Sequence, residues 1–277
     1  MVDFASGSRA RSLDKKVGNS VIFGFENDTR QISESVGNFS VIEHTRDLSL
    51  RPSSAEAAYF MSEMEVYKRQ VAIELNGTSG VVLQAGAMQW MLGDVNIKTG
   101  VKGVGDLFGK TFRGKVTGES AIKPEYEGTG IVVLEPTYKY IILEDVADWG
   151  EAGMVIEDGM FLASSSTVKH SIQSRTRVSS AVAGGEGLFN LKLSGRGVVA
   201  LESYVPKNEL IVFDLKNDCV KIDGSMAVAW SGSLEFTVER STKSLMGSAA
   251  SGEGLVNVYR GTGKLFMSPV ASSAYVS

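Results

Sequence analysis

Cysteine is almost missing from this chain. Cys219 stands alone, which excludes an intrachain disulfide framework and any cysteine-based metal site. Histidine is nearly as scarce. His44 and His170 are the only two, far apart and with no partner at a metal-ligand spacing, so no metal site or proton relay is spelled out. No run of about 18 apolar residues occurs, so no membrane-spanning helix is expected. The opening residues, Met1-Val2-Asp3-Phe4-Ala5-Ser6-Gly7-Ser8-Arg9, lack the apolar stretch of a secretory signal. Arg9, Arg11, Lys15 and Lys16 tilt this segment basic, but Asp3 and Asp14 weigh against a mitochondrial presequence. A soluble, cytoplasmic protein is the expectation, with a mitochondrial location as the alternative. Five prolines against 31 glycines in 277 residues point to many tight turns rather than disorder. A net charge of −4 gives no global attraction to nucleic acid. There is no Gly-x-Ser-x-Gly elbow and no cysteine–histidine pair. The sequence therefore predicts no enzyme, no catalytic residue, no cofactor and no metal.

What is present is repetition. Glu119, Glu186 and Glu253 stand 67 residues apart, each beside glycine. A glycine pair bracketing one residue follows each: Gly128-Thr129-Gly130, Gly195-Arg196-Gly197 and Gly261-Thr262-Gly263. Apolar runs come next, Ile131-Val132-Val133-Leu134, Val198-Val199-Ala200-Leu201 and Lys264-Leu265-Phe266-Met267. A second anchor, glycine followed closely by methionine, recurs as Gly86-Ala87-Met88, Gly159-Met160 and Gly224-Ser225-Met226. One supersecondary unit of about 67 residues used three times accounts for this spacing. Alternation with period two, as in Val71, Ile73 and Leu75, makes the unit all-β. Pro124 falls inside the first-copy strand and suggests an edge there, because proline cannot donate to the ladder.

Residues 1–63 stand apart as an N-terminal extension, and residues 64–277 form the triplicated β domain. Two strand-like pieces, at residues 20–25 and 39–42, predict an arm that docks on a β edge. After it, Pro52-Ser53-Ser54-Ala55-Glu56 reads as a helix start, with Ser53 as the cap and Glu56 completing a capping box.

The candidate interaction site is the loop from Lys98 to Lys115. It ends in Gly109-Lys110-Thr111 like a phosphate-binding loop, but Val104 stands where the first glycine belongs and no helix-forming sequence follows. Lys102, Lys110 and Arg113 around the apolar tip Leu107-Phe108 suit contact with a partner or with anionic headgroups. The repeated glutamates read as structural, fixing a bulge or turn, with a cation on a shared axis as the alternative. Trp90, Trp149 and Trp230 read as core or sheet-face aromatics.

Val81-Val82-Leu83-Gln84-Ala85-Gly86-Ala87-Met88-Gln89-Trp90-Met91 resembles the opening signature of the altered inheritance of mitochondria protein 24 family. Leu107-Phe108-Gly109, Thr117-Gly118-Glu119-Ser120 and Gly184-Gly185-Glu186-Gly187-Leu188-Phe189 resemble its later signatures, in order. The resemblance implies three tandem units like the trp RNA-binding attenuation protein (TRAP), sandwich or jelly-roll in type and related by a pseudo-threefold axis. It implies no enzyme activity, and for some members a role in organising the mitochondrial inner membrane. The expected function is a non-catalytic scaffold or assembly module, a homo-oligomer or a binder of protein partners, with peripheral membrane contact as a further option. A small-ligand or nucleic-acid binding module is the alternative, with an enzyme of unknown reaction a distant third, and a basic patch confined to the first unit argues against nucleic acid.

Overall fold

A computed structural model describes residues 13–99, 123–174, 189–224, 226–240 and 255–270. The chain is mostly β-strand with one short α-helix. The arm supplies β1 (Leu13–Val17), β2 (Ser20–Glu26), β3 (Arg30–Val36) and β4 (Phe39–His44). Its two Gly-Asn pairs are hairpin turns, joining β1 to β2 and β3 to β4. Gly18 and Gly37 have φ of 57° and 58°, the positive value that glycine supplies at the first central position of a type II′ turn.

Helix α1 (Ala55–Glu63) follows, but without the expected capping box. Pro52–Ser54 forms a 3-10 turn that runs into α1, and Ser54 caps the α-helix with no side-chain hydrogen bond. Ser53 therefore lies inside helical backbone, where a capping hydroxyl has lost the extended conformation it needs.

The body then runs as β5 (Lys68–Asn76), β6 (Val81–Leu83), β7 (Met88–Lys98), β8 (Glu125–Leu134), β9 (Tyr140–Asp145) and β10 (Met154–Ile156). It continues as β11 (Phe161–Ser165), β12 (Val168–Ser174), β13 (Phe189–Gly195) and β14 (Val198–Ser203). Last come β15 (Ile211–Asp223), β16 (Ala227–Ser231), β17 (Glu235–Arg240) and β18 (Leu255–Met267). Strands β3 to β9 with β11 and β14 make a nine-stranded sheet; β10, β12, β13 and β15 to β18 make a seven-stranded one. Every pairing among the named strands is antiparallel, so short connections suffice.

The glycine pairs sit where the chain changes strand partners. At Gly195-Arg196-Gly197 the chain leaves β13 in one sheet and enters β14 in the other. Gly128-Thr129-Gly130 lies within β8, which pairs with β6 before the glycines and with β5 from them onward. Pro124 precedes β8 rather than lying in it, and its carbonyl accepts from the Leu83 amide at 3.0 Å. Strand β8 is also no edge, since β5, β6 and β7 all pair with it. The missing proline N–H costs the ladder nothing at that position.

The arm is part of the core. Strand β4 pairs with β5 in the register Phe39↔Ile73 and Val41↔Val71, and these four side chains are buried together. Phe25 from β2 packs with Ile42, Ala72, Ile131 and Val133, and Trp90 lies partly buried against them. Trp149 packs edge-on against Phe266 at 4.8 Å, and Trp230 against Tyr259 at 5.1 Å.

One contact between arm and body carries a pH signature. Glu34 on β3 titrates above the usual carboxylate range, chiefly because burial disfavours its charge, with Glu144 adding repulsion against the opposing pull of Lys207. A carboxyl whose pKa rises on folding favours the fold at low pH and loses that advantage as pH rises. Glu34→Gln is expected to stabilise the protein by about 0.5 kcal/mol at pH 7. Urea denaturation should show this gain vanish by pH 4; an equal gain at both pH values would contradict it.

Candidate functional site

The five residues of the expected interaction loop, Lys102, Leu107, Phe108, Lys110 and Arg113, lie outside the described residues. So do Glu119, Glu186 and Glu253. The near flank is described: Lys98, at the end of β7, pairs with Glu127 across the ladder on β8.

The repeated glycine–methionine anchors lead to a different place. Two of them, Gly159-Met160 and Gly224 with Met226, line one cavity of about 530 Å³. Its apolar wall includes Val205, Val228 and Val270. At the rim Lys139 pairs with Glu202 at 2.7 Å and lies 5.3 Å from the Tyr204 ring centroid. Two equivalent hydroxyl turns frame it: Ser203 Oγ donates to the Val205 carbonyl at 2.7 Å, and Ser268 Oγ to the Val270 carbonyl at 2.6 Å. An apolar wall with a few charged groups at the mouth suits a small amphipathic molecule.

His170 has a partner that the sequence hid. Ser164 lies on β11 and His170 on β12, and the turn between these strands brings Ser164 Oγ within 2.9 Å of His170 Nε2. The imidazole stacks edge-on against Phe161 at 4.9 Å, and Lys123 Nζ sits 4.0 Å from the same ring centroid. Burial, helped by the Lys123 charge, lowers the His170 pKa to about 4. A hydroxyl beside an imidazole resembles a nucleophile with its base, but Ser164 is fully buried. An imidazole held neutral by burial makes a weak base at neutral pH. The pair is built as a packed polar contact.

A second buried network is structural as well. Trp149 Nε1 donates to Glu144 Oε2 at 3.0 Å, and Lys207 Nζ lies 2.7 Å from Glu144 Oε1. Glu144 is thus a buried carboxylate whose two oxygens are both engaged, as a charge in the interior requires. Among the described residues no cluster of three or more His, Cys, Asp or Glu side chains is placed to hold a metal ion.

Helix α1 also carries exposed apolar side chains. Helix α1 buries none of its residues, and Tyr59 and Phe60 are each about 60% exposed, their rings in edge contact at 5.5 Å. Met64 just beyond it is 74% exposed.

Residues 64–270 match the family model described as mitochondrial biogenesis AIM24. The chain belongs to that family. An uncharacterised protein of Streptococcus pyogenes serotype M6 is 28% identical over 204 residues, spanning 71% of this chain and 79% of the relative. An X-ray structure of a Streptococcus pyogenes protein superposes with a TM-score of 0.56 at 27% identity, covering 76% of this chain and 92% of that one. In this AIM24 chain the match begins after α1, so the arm and helix are additions that precede the family region. Among the described residues no helix is long and apolar enough to cross a membrane.

Proposed function

We propose that this AIM24 protein is a non-catalytic assembly module. It is built from three TRAP-like units in tandem, and it presents sheet edges and apolar surface to protein partners. The observation that carries the functional reading is α1, a helix with no buried residue whose Tyr59 and Phe60 face solvent. Exposed aromatic surface of this kind marks an interaction site, since burying it against a partner offsets the cost of leaving it in water.

The repeat reading is supported by matching detail at the glycine pairs. Ser165 Oγ accepts from the Val198 amide at 3.1 Å, and Ser231 Oγ accepts from the Lys264 amide at 3.0 Å. Thr167 Oγ1 donates to the Arg196 carbonyl and Ser233 Oγ to the Thr262 carbonyl, at 2.6 and 2.9 Å. These sites are 66 residues apart in each case.

Tyr59→Ser with Phe60→Ser tests the function. Both positions are exposed, so melting should change little, while capture of native partners should fall about tenfold, as loss of an aromatic anchor predicts. Co-sedimentation with anionic vesicles separates a membrane surface from a protein partner. Unchanged capture in the double variant would defeat the reading. A second reading, a small-ligand module, is favoured by the cavity between the two glycine–methionine anchors. A ligand recovered from purified protein and lost on Met160→Trp would support it. The cellular compartment we propose is cytoplasmic, with the mitochondrion suggested by the family's name.

A further inference from the structure

Two strand pairings inside the chain follow one rule. Strand β6 pairs with β11 as Leu83↔Ala163, Val82↔Ser164 and Val81↔Ser165. Strand β10 pairs with β16 as Ile156↔Ala229, Val155↔Trp230 and Met154↔Ser231. Leu83 and Ile156 each stand three residues before the glycine of an anchor, Gly86 and Gly159. Ala163 and Ala229 each stand three residues after the methionine of the next anchor, Met160 and Met226. The strand entering one anchor therefore joins the strand leaving the next.

One strand of each kind is left over. Lys221 on β15 stands three residues before Gly224, and Met91 on β7 stands three residues after Met88. Among the described residues β15 pairs with β18 and β7 with β8, and the two lie in different sheets. Exposure separates the used edges from the unused ones. Val81, Leu83, Met154, Val155 and Ile156 are buried. Their counterparts on β15, Cys219 and Lys221, are exposed, and Met91 on β7 is 39% exposed.

We propose that β15 of one copy pairs with β7 of a second copy, antiparallel, in the register Lys221↔Met91, Val220↔Leu92 and Cys219↔Gly93. The partner is a second copy because each edge, unpaired among the described residues, matches the other by a register this chain uses twice internally. Bare edges invite strand addition, since their backbone donors and acceptors otherwise face water. Gly93 takes the place held by Ser165 and Ser231 at the internal junctions, so no bulky side chain opposes Cys219. The contact is heterologous, and the rotation per copy sets whether it closes into a ring or grows as a filament. This inference deepens the assembly reading but uses a surface distinct from α1. Failure at Tyr59 and Phe60 would leave it standing, and its own failure would leave α1 in place.

Sedimentation velocity across a concentration series tests it on the full chain. The protein is expected to associate. Met91→Lys should weaken association about fivefold by opposing like charges to Lys221, and Lys221→Glu in the same chain should restore it. Both side chains are exposed, and melting curves confirm that the variants fold. Met91→Cys with Lys221→Cys, in a Cys219→Ser background, should give disulfide-linked copies. Gln89→Cys with Lys221→Cys, two residues out of register, should not. A protein monomeric at every concentration, or association indifferent to Met91→Lys, would overturn the proposal. A disulfide closing within one chain would overturn it too, by showing that the third junction forms internally.

Discussion

Gly128→Ala is expected to destabilise the protein by about 3 kcal/mol, and the same change at Gly261 by about 1 kcal/mol. Both glycines have φ of 125°, a region that side chains rarely enter, so both pay a backbone penalty. Their surroundings differ. A Cβ on Gly128 would lie 2.0 Å from the Asp94 carbonyl oxygen, where β7 crosses close beside β8. On Gly261 the nearest atom would be the Ser233 carbonyl oxygen at 3.6 Å, an ordinary contact. Gly195, with φ of 98° and the Thr167 carbonyl oxygen at 3.0 Å, should fall between them. Urea denaturation of the three variants at one pH gives the ranking directly. Equal costs would mean that backbone conformation alone sets the penalty. A cost below 1 kcal/mol at Gly128 would mean that β7 moves away freely.

Acid should expose His170. Its pKa is about 4 in the fold, against about 6.5 in an unfolded chain. As pH falls the unfolded chain takes up the proton first, so the stability held above about 6.5 is lost progressively down to about 4. The loss reaches about 3 kcal/mol at pH 4. Carboxylates also titrate over part of this range, so the informative quantity is a difference. The stability of the protein minus that of His170→Gln should shrink by about 3 kcal/mol between pH 7 and pH 4. Imidazole NMR gives an independent reading, because the His170 signal should titrate near pH 4. A midpoint near 6.5, or parallel stability curves for the two proteins, would show that the site opens to water before the proton arrives.

The contrast between Gly128 and His170 shows what could be read in advance. The glycine pairs announced themselves by spacing, because a positive-φ backbone that side chains rarely adopt leaves a residue-type mark at each copy. The strand-like pieces at residues 20–25 and 39–42 were visible through their alternation and became β2 and β4. His170 left no such mark. Its partner Ser164 carries no distinctive neighbours, and the turn that joins them links strands of two different sheets. The capping box at Ser53 was a legible local signal that the continuing 3-10 turn made unnecessary.

By itself the sequence determined the β class, the repeated anchors, the strand-like pieces of the arm and the lone positions of Cys219 and the two histidines. These follow from local rules: period-two alternation, glycine conformations and composition. Only the tertiary structure decided that β4 completes an edge of the body, and that Phe39 and Val41 belong to its core. It alone brought Gly159-Met160 and Gly224 together around one cavity, and among the described residues left one edge of β7 and one edge of β15 unpaired. The reason is that strand pairing joins residues far apart in the chain. Each strand carries the same backbone donors and acceptors, so the choice of partner is made by packing rather than by any residue within the strand.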